Sequence, residues 1–328
     1  MKIAVFGTGG VGAYFGGRLA EAGVDVTFIA RGEHLRAIRE RGLKVDSIGG
    51  DFLIHPAHAT DDPAEAGEAD AILLGVKAWQ VAEAAEAMRP MIGERSFVVP
   101  LQNGVEAATE VAAVLGEDHV VGGLCGLIAY IVGPGHVRHA GIPPIIKFGE
   151  LDNRKSERID GLADLFSRAK AVKVEIPDDI DVALWTKFLF VHGWGGLGAV
   201  SRMPVGVLRE LPESRRLIRQ TIEEMYDVAV ARGVALMPEI IDRTLALVDG
   251  LPDDGTASMQ RDIMDGRPSE LEQQTGAVVR LGEAAGVDTP LNRFIYYSLL
   301  PMERAARGRV RVREKNNDAT PATEEPMQ

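Results

Sequence analysis

At 328 residues the chain is long for one compact domain and suits two. A hydrophobic fraction of 46% fits a protein with a substantial core, and a formal net charge of −12 argues against a nucleic-acid binder, which needs a basic surface. Cys125 is the single cysteine, so neither a disulfide framework nor a thiolate metal site is expected.

The N-terminus opens directly into a strand-like run, with no charged leader or apolar h-region, and no stretch of about 18 apolar residues follows. The expectation is a cytoplasmic globular protein with neither membrane nor nucleic-acid partners. Ile3 to Phe6, Val24 to Ile29, Ala71 to Leu74 and Phe97 to Val99 read as buried strands. Helical stretches such as Val81 to Met88 separate them, and this alternation predicts an α/β, Rossmann-type doubly wound domain. Further on, Ile128 to Val132, Gly133-Pro134-Gly135 and His136 to His139 read as a hairpin, followed by a strand at Ile145 to Phe148. A helix over Lys155 to Ala169 and a strand over Val172 to Ile176 close a first domain at residues 1–177. Pro177-Asp178-Asp179 marks the boundary, with aspartates able to cap the next helix. An all-α domain is expected over 178–308, with helices at Ile180–Gly193, Pro212–Arg232, Pro238–Val248, Thr256–Met264, Glu270–Ala285 and Leu291–Arg307. The charged, then Pro/Thr/Glu-rich tail over 309–328 is expected to be disordered.

Gly7-Thr8-Gly9-Gly10-Val11-Gly12 fits G-x-G-x-x-G directly after a strand and at the start of a helix, which is what gives the match weight. Such a loop turns tightly, admits a pyrophosphate against the backbone and offers it a helix N-terminus. Arg31 follows the second strand, 19 residues past Gly12, where an NAD-selective site carries an acid for the ribose 2′-hydroxyl. Arginine can instead pair with a 2′-phosphate, so NADP(H) is the expected cofactor. Lys77 and Gln80 follow the third clear strand and Asn103 the fourth, at strand ends that face the same crevice.

Lys187 stands alone in the apolar run Val182 to Val191. Burial lowers an ammonium's pKa, which suits a proton donor to the oxyanion formed when hydride reaches a carbonyl. Between two helical stretches, Ser258 to Glu270 gathers polar groups, with Ser269 placed to cap a helix containing Glu270. His192, five residues from Lys187, lies off the lysine's face and reads as structural.

Taken together, Gly7 to Gly12, Lys77-Ala78-Trp79-Gln80, Asn103-Gly104, Trp185-x-Lys187 and Ser258-x-x-x-Asp262…Glu270 resemble the ketopantoate reductase (2-dehydropantoate 2-reductase) family over about residues 1 to 305. The resemblance implies NADPH and a 2-keto acid in a cleft between the two domains, and reduction of 2-dehydropantoate to (R)-pantoate on the way to pantothenate and coenzyme A. It implies Lys187 as proton donor, with Asn103 near nicotinamide and carbonyl. Glu270 would orient the lysine and touch bound ligand, Ser258 the substrate carboxylate with Asp262 nearby, and Lys77 and Gln80 the cofactor channel. One departure concerns substrate: where better-known members carry asparagines, this chain has Val191, Gly195 and Val205. Arg202 is a candidate replacement contact to a carboxylate. Another branched 2-keto acid or an imine is the alternative substrate, and a non-catalytic NADP(H)-binding sensor is the alternative of another class. Exposed apolar helix faces in the C-terminal half suit a homodimer.

Overall fold

The computed structural model describes residues 1–310, so most of the expected tail lies outside the described residues. The chain opens with β1 (Ile3–Phe6), α1 (Gly10–Glu21), β2 (Val26–Ile29), α2 (Gly32–Arg41) and the short strands β3 (Leu43–Ser47), β4 (Phe52–Ile54) and β5 (His58–Thr60). It continues through α3 (Pro63–Ala66), β6 (Ala71–Leu74), α4 (Val81–Met88), β7 (Phe97–Pro100) and α5 (Ala107–Leu115). The first sheet is parallel throughout, in the order β5-β2-β1-β6-β7. Its central strands are buried on both faces, which explains why they read as unbroken apolar runs. The order reverses between β1 and β6, and a crevice opens beyond their carboxyl ends. Val24 and Asp25 are not part of β2. Gly23, at φ +83°, turns the chain, and Val24 donates its N–H back to Leu19 of α1.

A second sheet, of which only β3 and β4 were not read as strands from the sequence, lies on the other side of α1. It is formed by β3, β4, β8 (Gly122–Gly133), β9 (His136–Gly149) and, after α6 (Glu157–Ser167), β10 (Lys173–Glu175). Its order is β10-β9-β3-β4, with β8 also on β9. The expected hairpin is longer than predicted, and β9 includes the expected separate strand at Ile145 to Phe148. Pro143 and Pro144 fall where the β8–β9 pairing skips from Ala140 to Ile145, so no ladder hydrogen bond is lost there.

Helix α1 is sandwiched, which accounts for eight consecutive buried residues from Gly12 to Leu19, Arg18 among them. Arg18 is fully buried, donates to Glu21 (2.6 Å) and to the Gly50 carbonyl (2.6 Å), and lies 4.3 Å from the Phe52 ring centroid. Replacing it by Met keeps the bulk but strands the Gly50 carbonyl and the second-sheet turn. Arg18→Met is expected to cost about 2 kcal/mol, read as a lower urea midpoint; an unchanged midpoint would contradict this anchoring role.

The remaining elements are helices: α7 (Ile180–His192), α8 (Gly195–Ser201), α9 (Val205–Glu210), α10 (Pro212–Ala231), α11 (Ile240–Asp249), α12 (Ser258–Met264), α13 (Thr275–Ala285) and α14 (Pro290–Ala306). Asp179 caps α7 by accepting from the Val182 N–H at 3.0 Å. Helices α8 and α9 were not expected, because Gly195-Gly196-Leu197-Gly198 has low intrinsic helicity. Tertiary packing overrides that cost. A Cβ on Gly195 would meet Ala257 at 2.7 Å, and one on Gly198 would meet Gln260 at 2.5 Å, so only glycines let α8 seat on α12.

A second correction concerns Ser269. Helix α13 begins at Thr275, and Glu270 lies in the turns before it, so Ser269 caps no helix there. Its hydroxyl donates to the buried Glu303 at 2.5 Å and accepts from the Leu271 N–H.

Candidate active site

The glycine loop joins β1 to α1 at the crevice. Gly7 has φ +96°, and its N–H and that of Thr8 donate to the Ile29 carbonyl, tying the loop to the end of β2. The Thr8 hydroxyl donates to the same carbonyl at 2.8 Å. The three later glycines do different work. A Cβ at Gly10 would lie 2.2 Å from the Ala129 carbonyl oxygen, so β8 closes directly over the start of α1. One at Gly12 would lie 2.3 Å from the Gly7 carbonyl oxygen. Gly9 has open space, its nearest neighbour being the Gly75 carbonyl at 3.9 Å. No side chain caps α1 and its first turn holds no acid, so the leading N–H groups of the helix remain available to an anion. Val11 packs on the core. Arg31 is exposed and occupies the N-cap position of α2, just past β2. The loop and the uncapped helix fit the pyrophosphate of a dinucleotide.

Helix α7 brings Lys187 to the end of β7. The Nζ of Lys187 donates to Oδ1 of Asn103 at 2.9 Å, joining residues 84 positions apart. Burial pushes the lysine pKa below its ordinary range; Cys125 of β8 and Glu270 act in the opposite sense. The Cys125 thiol is itself pushed up by burial, against the opposing Lys187 charge.

Glu270 is buried and reaches across to the α/β half. One carboxylate oxygen accepts from the Ala78 N–H at 3.2 Å, the other from the Gln274 amide at 3.1 Å. Among the described residues, no carboxylate lies within ion-pair distance of Lys187. The imidazole of His192, at the end of α7, is pushed down to about 3, mainly by burial and then by the Lys187 charge. Sequence reasoning missed Gln274, Cys125 and the Ala78 N–H. The four-residue step from Glu270 to Gln274 was the one available signal.

The other expected residues lie around this centre. The N–H of Lys77 donates to Oε1 of Gln80 at 3.4 Å, and its half-exposed Nζ stands 3.9 Å from Asp262. Asp262 also accepts from Arg267 at 2.9 Å, so its charge is met by two cations. Ser258 is exposed at the first position of α12. Arg202 is exposed in a left-handed conformation at the end of α8, with no bond to Lys187, Asn103 or Glu270. Of the three positions without asparagine, Val205 is fully buried and Gly195 is pressed against Ala257, whereas Val191 is half-buried, four residues after Lys187 on α7. Among the described residues, no group of three or more His, Cys, Asp or Glu is placed to hold a metal, and no helix is long and apolar enough to cross a membrane.

A Rossmann-type half joined to a helical half, with a half-buried lysine meeting an asparagine between them, defines an oxidoreductase. The family description "Ketopantoate reductase PanE/ApbA" matches residues 3–153 and its C-terminal counterpart residues 179–303. The chain belongs to the ketopantoate reductase family. An uncharacterised oxidoreductase of Bacillus subtilis, YkpB, is 28% identical over 91% of this chain and 98% of its own. A 2-dehydropantoate 2-reductase of Nostoc is 27% identical over 91% of this chain and 94% of its own. The crystal structure of a PanE/ApbA family ketopantoate reductase from Ralstonia eutropha superposes with a TM-score of 0.84 at 32% identity, covering 94% of this chain and all of that one.

Proposed function

We propose that this protein is an NADPH-dependent 2-keto acid reductase whose first substrate is 2-dehydropantoate, giving (R)-pantoate for pantothenate and coenzyme A synthesis in the cytoplasm. The single observation that carries the reading is the half-buried Lys187 ammonium, lowered in pKa and held by Asn103 at 2.9 Å. When bound, NADPH supplies the hydride that adds to the keto carbon. The carbonyl electron pair then moves onto oxygen, and Lys187 gives that oxygen its proton. Asn103 fixes the lysine at the end of β7, beside the crevice where the glycine loop lies. Glu270 orients the lysine and touches bound ligand. Exposed Ser258 at the start of α12 takes the substrate carboxylate, with Asp262 kept from repelling it by its own cationic partners. Arg202 is the further cation for that carboxylate. Lys77 and Gln80 line the cofactor channel.

In this reading residues 1–177 form the cofactor domain and 178–308 the substrate domain, and two chains pair through the helical half, where Phe294 and Tyr297 are exposed on α14. The apolar Val191 favours a second substrate reading, another branched 2-keto acid. NADPH oxidation against a panel of keto acids separates the two: 2-dehydropantoate is expected to be the fastest, and the pathway role is lost if every other acid outruns it. Arg31→Ala is expected to raise KM for NADPH about tenfold while leaving KM for NADH within about twofold, as loss of a charge-assisted phosphate pair requires. Equal wild-type KM values for NADPH and NADH would contradict the role of Arg31.

A further inference from the structure

We propose that Arg307 and Trp79 form a clamp between the two halves of the molecule, and that both are positioning residues for the NADPH site. The inference rests on the cofactor binding proposed above. The Ala78 N–H of the α/β half donates to Oε1 of Glu270 in the helical half at 3.2 Å. One side chain holds the chain on both sides of that bond. The Arg307 guanidinium, just past the end of α14, lies over the Trp79 ring, 4.5 Å from its centroid. Its Nη2 donates to the Ser269 carbonyl at 2.8 Å. Trp79 follows Ala78 and Ser269 precedes Glu270, so both ends of the cross-domain bond are fixed by the same group.

Arg307 is held in its turn. Its Nε donates to one oxygen of Glu303, whose other oxygen accepts from the Ser269 N–H at 2.9 Å and from the Ser269 hydroxyl at 2.5 Å. Ser269 and Glu303 are 0% and 4% exposed, so this carboxylate depends on those donors in place of water. A planar guanidinium stacks on a ring by its face while donating from its edge, which an ammonium cannot do. Glu270 lies in turns and Trp79 in the single turn Ala78–Gln80, so neither has a long helix to hold it. Other ion pairs across the halves have exposed cations and hold less: Lys77 is 3.9 Å from Asp262, and Arg280 is 2.9 Å from Glu106.

The consequence falls on the cofactor. The strand end leading into Trp79 presses on the glycine loop. A Cβ on Gly7 would lie 2.7 Å from the Val76 backbone nitrogen, and one on Gly75 would lie 2.8 Å from the Gly7 carbonyl oxygen. Holding Trp79 therefore holds the wall beside the loop that receives the pyrophosphate. Without the clamp, the segment from Lys77 to Gln80 has to be ordered when NADPH binds, at a cost in affinity.

The test is calorimetric titration of the full-length protein with NADPH, which needs no keto acid. Arg307→Met keeps the stem but loses the charge and donors, whereas Trp79→Leu leaves the bonds among Arg307, Glu303 and Ser269 in place. Each is expected to raise Kd about tenfold. Trp79→Phe returns an aromatic face and is expected to stay within about threefold of wild type. The double variant Arg307→Met/Trp79→Leu is expected to bind within about twofold of the weaker single variant, since both changes remove one contact. Should Arg307→Met fail to fold, the two Trp79 variants carry the expectation. Wild-type-like Kd in both single variants overturns the proposal. So do losses that multiply in the double variant, which mean independent action, or equal losses in Trp79→Leu and Trp79→Phe, which mean the ring face is not used. A wild type that does not bind NADPH overturns the cofactor reading itself, whereas tight binding by the wild type with unaffected variants overturns the clamp alone.

Discussion

Lys187→Ala is expected to lower kcat by about 10³-fold, in the range that a positioned general acid contributes, while NADPH still binds with a Kd within about twofold of wild type. The two halves of that expectation come from different parts of the molecule. The proton donor sits on α7, whereas the glycine loop and Arg31 belong to the α/β half and do not touch it. Removing the ammonium leaves Asn103 without its donor but places no charge in an apolar site, so folding should survive. The same residue sets the pH profile. Its pKa is lowered in the fold, so the donating ammonium is present below that pKa and lost as pH rises through it. The basic limb of kcat should therefore fall at a pH below the ordinary lysine range. Near-wild-type turnover by Lys187→Ala, or a basic limb at the value of a free lysine, would remove the lysine from the chemistry.

How much of this was legible before the fold was known varies from residue to residue. The glycine loop was readable because local chemistry dictates it: a strand, a turn that needs φ above zero at Gly7, and a helix with no capping side chain. Lys187 was readable because one charge in an apolar helical run must be exposed, paired or functional. Its meeting with Asn103 was readable only through the family resemblance, which puts the proton donor and the asparagine at one carbonyl. The second sheet was readable only in part. Its strands β3 and β4 are five and three residues long, with Lys44 and Asp46 in β3, and β3 gains its order from β9, distant in sequence. Helix α8 was hidden by its own glycines, which look like a loop until α12 is seen packed against them. Glu270 was expected on a helix and is instead held in the turns before one, which is what lets its oxygens reach Ala78 and Gln274.

Gly12→Ala is the second large effect. The added methyl would stand 2.3 Å from the Gly7 carbonyl oxygen and 2.8 Å from a methyl of Val5. The first obstacle is backbone, so no side-chain rotation relieves it, and α1 has to lift away from β1. Helix α1 is held on both faces, by the first sheet and by the second, so there is little room to move. A cost of about 3 kcal/mol follows from such overpacking, together with loss of measurable NADPH binding, because lifting α1 carries its N–H groups off the phosphates. Gly9→Ala is the informative partner. Its methyl meets only the Gly75 carbonyl, at 3.9 Å, so the fold should keep its urea midpoint while NADPH binding weakens where the backbone must approach the pyrophosphate. Gly12→Ala with wild-type stability and cofactor affinity would show that this loop does not hold the dinucleotide.

The substrate end carries the larger departure from the family pattern. Val205 belongs to the core of the helical half and Gly195 to the α8–α12 contact, so substituting asparagine at either position would disturb packing before it could touch a ligand. Val191 is different: four residues from Lys187, it lies on the same helix face and is half-buried, so it is the position from which acceptor preference is most directly tuned.

Hydride transfer to a keto carbon with proton delivery by Lys187 is tested most directly by isotope. NADPH deuterated at the transferring position of C4 is mixed with the best 2-keto acid, and the product is analysed by mass spectrometry. Reduction at this site predicts a 2-hydroxy acid with deuterium at C2, formed in step with NADP⁺ by the wild type and slowed about 10³-fold in Lys187→Ala. A product without deuterium, or equal labelling rates in the two proteins, would contradict it.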